Sequence, residues 1–404
     1  MNKHSFKLVG VALVAASLAF AGCGSRADTA SSSGGSGSSK VATIGVISPL
    51  SGDLSALGLG IRNSVDLAIR QANESNAIPG WTLKLSPQDD QATPDVGKNA
   101  ATKLSSDDTV VGVVGTLNSS VAQTVIPVLA YATIVQVSPA NTNPTLTQGE
   151  DLANPKRPYP NYFRTCTTDD VQGPFAAQYL LSKGIKNVAT IHDKKAYGQG
   201  LVEAFTTAFK ANGGTITDAE TINPEDKDFS AVISKVKTTS PEAVYYGGEY
   251  PQAGPLSKQM KAAGLNVPLM GGDGIYDPNF IKLGGTDGDL ATSVGAPVDS
   301  LDSAKAFVSA YSAAGFSEPY AAYGAYAYDA ANAIINALKV SLKDATDAKS
   351  ARQATIDAMA NVSFDGATGK VAFDQFGDST SRVLTVYKVV SGAWAAEKTG
   401  ELKS

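Results

Sequence analysis

Two α/β halves, each a mostly parallel sheet flanked by helices, are predicted by three observations. The chain has 404 residues, more than one hydrophobic core usually supports. From Val41 onward, short β-branched runs alternate with amphipathic stretches, which is the mark of βαβ units. The alternation stops in the Pro-rich, non-periodic stretch GEDLANPKRPYPNYF (149–163) and then restarts, as a boundary or crossover requires.

In the first half, VATIGVI (41–47) reads as a buried strand, with Ile61, Val65, Ala68, Ile69 and Ala72 at helical spacing behind it. TLKLSPQ (82–88), VVGVVG (110–115) and IVQVS (134–138) are the next strands, interleaved with helices near 95–105 and 120–131. In the second half, VATIHD (188–193), AVYYGG (243–248) and PLMGGD (268–273) read as strands. Helices near 172–183, 200–212, 229–238 and 252–263 separate them. Two long helical patterns follow, at 303–314 and 326–342, and then KVAFDQFG (370–377) and RVLTVYKVV (382–390) as strands. Elements so distributed imply that the chain crosses between the halves more than once.

Composition narrows the function classes. With 43% hydrophobic and 18% charged residues, the chain suits a globular body and neither a polytopic membrane protein nor a disordered one. A net charge of -5 leaves no broad basic surface, so nucleic acid is not an expected partner. Two His and two Cys offer too few ligands for zinc or an iron-sulfur cluster, and neither a metal nor a cofactor is expected.

The segment 1–22 places Lys3 and Lys7 ahead of an apolar run from Leu8 to Ala21, which reads as an export signal. Ala21-Gly22-Cys23 resembles the lipobox of bacterial lipoproteins, in which the Cys is acylated and becomes the new amino terminus; Phe20 stands where that box usually has Leu. Cys23 is thus the expected lipid attachment point, and residues 23–40, with the core SSSGGSGSS, form a flexible tether. The protein is expected outside the cytoplasm, anchored to the outer face of the cytoplasmic membrane in a periplasm or cell-wall space. Cys166, left without a partner, is an inert structural thiol in this reading.

Ligands of open parallel sheets gather beyond the carboxyl ends of the strands, where helix N-termini and free amides point. After VVGVVG comes Thr116-Leu117-Asn118-Ser119-Ser120, a hydroxyl-rich helix start suited to a carboxylate or phosphate, or else an ordinary Ser N-cap. After IVQVS, the Pro139-to-Pro144 turn offers the Ala140 carbonyl and the Thr142 hydroxyl. HDKKAYGQG places Tyr197 just ahead of a helix, YYGGEYPQAG offers Glu249 and Tyr250, and MGGDG offers Asp273 in a glycine-rich bend. Donors on one half and acceptors with aromatic faces on the other would clamp a zwitterion.

The order GTLNSS, VSPANTNPTLT, RT…TTDDVQGP, HDKKAYGQG, DFSAVISKVK, VYYGG, AAGL…PLMGGDG resembles that of leucine/isoleucine/valine-binding proteins, the receptors of ABC importers, over about residues 41–390. The resemblance implies a type I periplasmic-binding-protein fold: two α/β lobes joined by three crossovers that close over an amino acid. It implies an N-terminal lobe of 41–164 plus 298–370 and a C-terminal lobe of 165–297 plus 371–404, with ABC permease subunits as partners and a monomeric protein. Carried over residue by residue, it assigns Ser119 and Thr142 to the ligand carboxylate, and the Ala140 backbone, Thr142 and Asp273 to the ammonium. Tyr197 would line the cleft, with Leu117 beside it, and Tyr320 would cover the apolar end. Asp273 stands where the family often has Glu.

Three further positions depart from the aliphatic binders: Leu57 stands for Tyr, Asn118 for Cys and Glu249 for Tyr, with Tyr250 able to compensate by a one-residue shift. A buried polar group without a partner costs about 1–3 kcal/mol. Asn118 and Glu249 therefore point either to a polar amino acid or an amide or urea-type solute, or away from the cleft. Branched-chain amino acids are the leading ligand class. The other readings are a sensor built on the same cleft, which would need a second protein to carry its signal, and a hydrolase using His192. The sequence lacks a GxSxG elbow, an HExxH helix and a complete dinucleotide fingerprint, and the protein is read as a binder, not an enzyme.

Overall fold

In the computed structural model, which describes residues 39–402, nine residues of strand β1 (Lys40–Ser48) open the first sheet. It continues with β2 (Trp81–Asp89), β3 (Val110–Gly115), β4 (Val135–Ser138) and β5 (Tyr162–Arg164), in the spatial order β2-β1-β3-β4-β5 and parallel throughout. Between them run α1 (Ser55–Glu74), α2 (Pro94–Ser105), α3 (Ser119–Tyr131) and the single turn α4 (Thr145–Gln148). Helices cover both faces, so β3 and β4 are buried at every position, and β3, VVGVVG, reads as an unbroken apolar run. Alternate residues serve different layers: Ile47, Val110 and Val113 pack with Leu104, Val121 and Val125, whereas Ile44, Val46 and Val111 pack with Ile61, Val65 and Ile334.

The second sheet holds β6 (Asn187–His192), β7 (Thr215–Thr221), β8 (Ala243–Gly247), β9 (Leu269–Gly271) and β10 (Leu290–Val294), again parallel. Its helices are α5 (Asp169–Ser182), α6 (Ala196–Ala211), α7 (Ser230–Thr238), α8 (Tyr250–Ala262) and α9 (Pro278–Lys282). The chain then returns: after α10 (Lys305–Ala313), α11 (Gly324–Ser341) packs on α1, β3 and β4, followed by α12 (Arg352–Met359) and the hairpin β11 (Ser363–Gly366) and β12 (Gly369–Ala372). Finally β13 (Val383–Val390) and β14 (Ala393–Glu401) join the second sheet antiparallel, giving β14-β13-β10-β9-β8-β6-β7. The chain therefore passes between the sheets three times, after β5, β10 and β12. This is the two-sheet, mostly parallel α/β architecture that the sequence predicts, with the three crossovers that the resemblance implies.

Several elements differ from the sequence reading. The stretch 149–163 is not wholly a connection, because its end forms β5 inside the first sheet. Lys40, assigned to the tether, opens β1 and pairs with Trp81. The strand expected over 370–377 ends at Ala372, where Asp374 to Gly377 turn back so that Phe373 bridges Ser379. A division at 370 falls inside the β11–β12 hairpin. The signal segment, Cys23 and the Gly/Ser core of the tether lie outside the described residues.

Candidate functional site

The loops that leave the carboxyl ends of both sheets come together around a narrow crevice. From the first sheet and its helices come Leu57, Leu117, Asn118, Ser119, Ala140 and Tyr323; from the second come Tyr197, Glu249, Asp273 and Gly274.

The first wall is rigid for reasons visible in its hydrogen bonds. Ser138 Oγ accepts from the amides of Ala140 (3.1 Å) and Asn141 (2.8 Å) and donates to the Thr116 carbonyl at 2.9 Å, fastening the β4 loop to the β3 loop. Asn141 Nδ2 donates to the Leu117 carbonyl at 2.8 Å. Beneath them the buried Arg164 guanidinium donates to the carbonyls of Asn141 (2.7 Å) and Asn143 (2.9 Å) and pairs with Asp378 at 2.6 Å. Helix α3 starts in this wall with Asn118 at its N-cap, yet the Asn118 side chain makes no capping bond. The Asn118 carbonyl takes the Val121 (3.1 Å) and Ala122 (3.0 Å) amides, and the positive end of the helix dipole lies at the crevice beside Ser119.

Asp273 dominates the second wall. It is buried in a short turn after β9. Its Oδ1 accepts from the Tyr197 hydroxyl (2.8 Å) and Gln172 Nε2 (3.0 Å), and its Oδ2 accepts from the Tyr323 hydroxyl (2.9 Å). Among the described residues it has no ion-pair partner. Burial pushes its pKa above the ordinary carboxylate value, against the pull of the three hydrogen bonds. Asp169, joined to it through Gln172 Nε2 (3.3 Å), is raised further by burial and then by the Asp273 charge. Glycines let Tyr197 lie across the site: a Cβ at Gly272 would stand 2.3 Å from its hydroxyl, and one at Gly274 2.8 Å from its ring.

A second polar cluster closes the other end. Asn118 Nδ2 donates to Glu249 Oε1 at 2.5 Å, and Lys195 Nζ donates to Glu249 Oε2 at 2.8 Å. The two departures from an aliphatic pocket therefore both face the crevice and bond one another, while Asn118 Oδ1 is buried without a partner among the described residues. Tyr250 does not line it; its hydroxyl bonds the Asp53 carbonyl.

Of the residues singled out from sequence, Leu117, Asn118, Ser119, Ala140, Tyr197, Glu249 and Asp273 line the crevice. Tyr197 stands in the first turn of α6, not ahead of the helix, because α6 begins at Ala196. Thr142 is buried behind the wall, its Oγ1 without a hydrogen-bond partner and its carbonyl accepting the Asp169 amide at 2.8 Å. Tyr320 lies elsewhere: its ring packs edge-on against Phe307 and Tyr311 and its hydroxyl bonds Asp299 at 2.7 Å, because the chain turns inward only three residues later, at Tyr323. Tyr323, Gln172 and Lys195 escaped the sequence reading; only the three-residue spacing of Tyr320, Tyr323 and Tyr326 offered a signal for the first. His192 accepts the Lys194 amide on Nδ1 and stands outside the crevice, and burial raises the pKa of the Cys166 thiol.

Comparison with known proteins bears on this site. A model described as "Periplasmic binding protein" matches residues 41–393. The chain is 35% identical over 359 residues to the Leu/Ile/Val-binding protein BraC3 of Rhizobium johnstonii, which covers 87% of this chain and 92% of that protein. The leucine-binding protein LivK of Thermotoga maritima superimposes with a TM-score of 0.79 at 26% identity, over 89% of this chain and 98% of the other. LivJ of Streptococcus pneumoniae, a branched-chain amino acid transporter substrate-binding protein solved in complex with isoleucine, gives 0.78 at 26% identity over 90% and 100%.

Proposed function

This chain belongs to the periplasmic binding protein family, and on that premise we propose that it captures a branched-chain amino acid outside the cytoplasm and delivers it to an ABC permease. One observation carries the reading: the buried Asp273 carboxylate holds three hydrogen-bond donors and no ion-pair partner among the described residues, opposite an uncapped helix start. A buried carboxylate without a cation is costly, and an ammonium brought by the solute removes that cost. The amides at the start of α3 and the Ser119 hydroxyl then receive the solute's carboxylate, while Leu57 and Leu117 offer apolar contact.

Capture in this proposal is closure without chemistry. The lobes are 41–164 plus 298–370 and 165–297 plus 371–404, with the last boundary moved past Ala372 so that the β11–β12 hairpin stays whole. Each contributes contacts, because a solute shifts an equilibrium only by its differential affinity for the two states. The Thr142 carbonyl ties the carboxylate wall to the start of α5 through the Asp169 amide at 2.8 Å. An acyl group on Cys23 holds the monomeric body near the membrane surface, which mass spectrometry of the mature amino terminus tests directly.

The decisive experiment is a thermal-shift and calorimetric screen of the purified protein with the twenty amino acids, short amides and urea. Leucine, isoleucine or valine at about one hundred times its dissociation constant is expected to stabilise the protein by about 2.7 kcal/mol. Absence of a shift with every amino acid, or conversion of one into product, overturns the proposal.

A further inference from the structure

The crevice does not end the cleft. Beyond Glu249 lies a second space of about 380 Å³, bounded by the loops after β1, β2 and β7 and by the start of α8. Glu249 lines both spaces; Asn118 lines only the inner one and Lys195 only the outer. Each carboxylate oxygen is engaged from a different side, Oε1 by Asn118 at 2.5 Å and Oε2 by Lys195 at 2.8 Å, so the group is stretched between them as a partition. The partners come from opposite sheets, because Asn118 follows β3 whereas Glu249 and Lys195 follow β8 and β6. The inner face carries Leu57 and Leu117, and the outer space carries Asp53, Gln91, Thr93, Glu225 and Gln252.

We propose that the Asn118–Glu249 contact is a length filter: it closes the inner pocket beyond Leu57 and Leu117 and refuses amino acids whose side chain is long and ends in a polar or cationic group. This inference rests on the amino-acid reading of the site. An aliphatic side chain leaves the contact intact, whereas a longer one must break it and leave a buried amide and a carboxylate without their partner. Removing the Asn118 amide frees Oε1 of Glu249 to receive a cationic end group arriving from the inner pocket, with the polar outer space behind it.

Calorimetry with leucine and arginine on the full protein and on Asn118→Ala, with Glu249→Gln as a second variant that retains the side-chain shape, tests the filter. In the wild type leucine is expected to bind more than about a hundredfold tighter than arginine, and in Asn118→Ala that ratio is expected to fall by about tenfold or more. Glu249→Gln keeps an oxygen for Asn118 but removes the charge a cationic end group would meet and leaves Lys195 unpaired, and is expected to bind arginine no better than the wild type does. A wild-type protein that takes arginine within about tenfold of leucine, or an Asn118→Ala protein that binds leucine with the wild-type ratio, overturns the filter. A wild-type protein that binds neither overturns the amino-acid reading, and the filter with it.

Discussion

Tyr323, at the N-cap of α11, donates its hydroxyl to Oδ2 of Asp273 at 2.9 Å and so joins a helix of the first sheet to a loop of the second. This bond orients the carboxylate that the solute's ammonium is expected to meet. Replacing Tyr323 by Phe removes a hydrogen bond to a charged group and is expected to weaken leucine binding by about 1.5–3 kcal/mol. Isothermal titration calorimetry measures it, and an unchanged affinity refutes the bridging role.

Asp273→Ala and Asp273→Asn separate charge from shape. Both are expected to weaken any α-amino acid by about 2–5 kcal/mol, because each removes the charge that meets a desolvated ammonium. The Asn variant, close in volume, should lose as much affinity as the Ala variant while melting nearer to the wild type. Wild-type affinity in either one removes Asp273 from the ammonium site.

The Arg164–Asp378 pair predicts stability instead of affinity. Asp378→Ala leaves a fully buried guanidinium without its counter-charge and is expected to cost about 3–5 kcal/mol. A fall in the urea midpoint at unchanged slope reports it. A midpoint equal to the wild type's contradicts the account of the wall's rigidity.

Asp90 supplies a pH dependence. It is fully buried, its Oδ1 accepts the Ala92 amide at 2.9 Å while Oδ2 has no partner among the described residues, and burial pushes its pKa to about 7. A carboxyl raised in this way holds its proton more tightly folded than unfolded. Its contribution to stability is therefore fully present below the ordinary carboxylate value of 3.8 and is lost as pH rises towards about 7. Asp90→Asn is expected to remove that loss and raise the melting temperature at pH 8 by about 2–4 °C relative to the wild type. Melting curves between pH 4 and pH 8 decide it, and parallel profiles for the two proteins refute the assignment.

The two-sheet architecture was legible in the sequence because the central strands carry unbroken apolar runs and the helices repeat at 3.6. Strands whose stability comes from neighbours were not. β10, LATSV, is rich in Ser and Thr and is held between β9 and β13, and β7, TITDAET, is an edge strand with little buried surface. The site loops were legible as polar turns after strands, and the resemblance located most of the lining residues. What escaped depends on pairs distant along the chain. Asn118 and Glu249 each read as a misplaced polar group, and only their meeting across 131 positions makes them a wall. Tyr323 escaped because a tyrosine ahead of a long helix carries no local sign of the carboxylate it serves.

Arg164 stands at the point where the chain first leaves one sheet for the other, and its Asp378 partner stands where it makes the last such passage. The same guanidinium holds the carbonyls of Asn141 and Asn143, so the surface that greets the solute is braced directly against the pivot. A swing of one sheet away from the other would alter the distance between the jaws and leave the shape of this jaw untouched. The incoming molecule would therefore meet a mould already set, and the entropy of arranging that loop would have been met during folding and not at each capture.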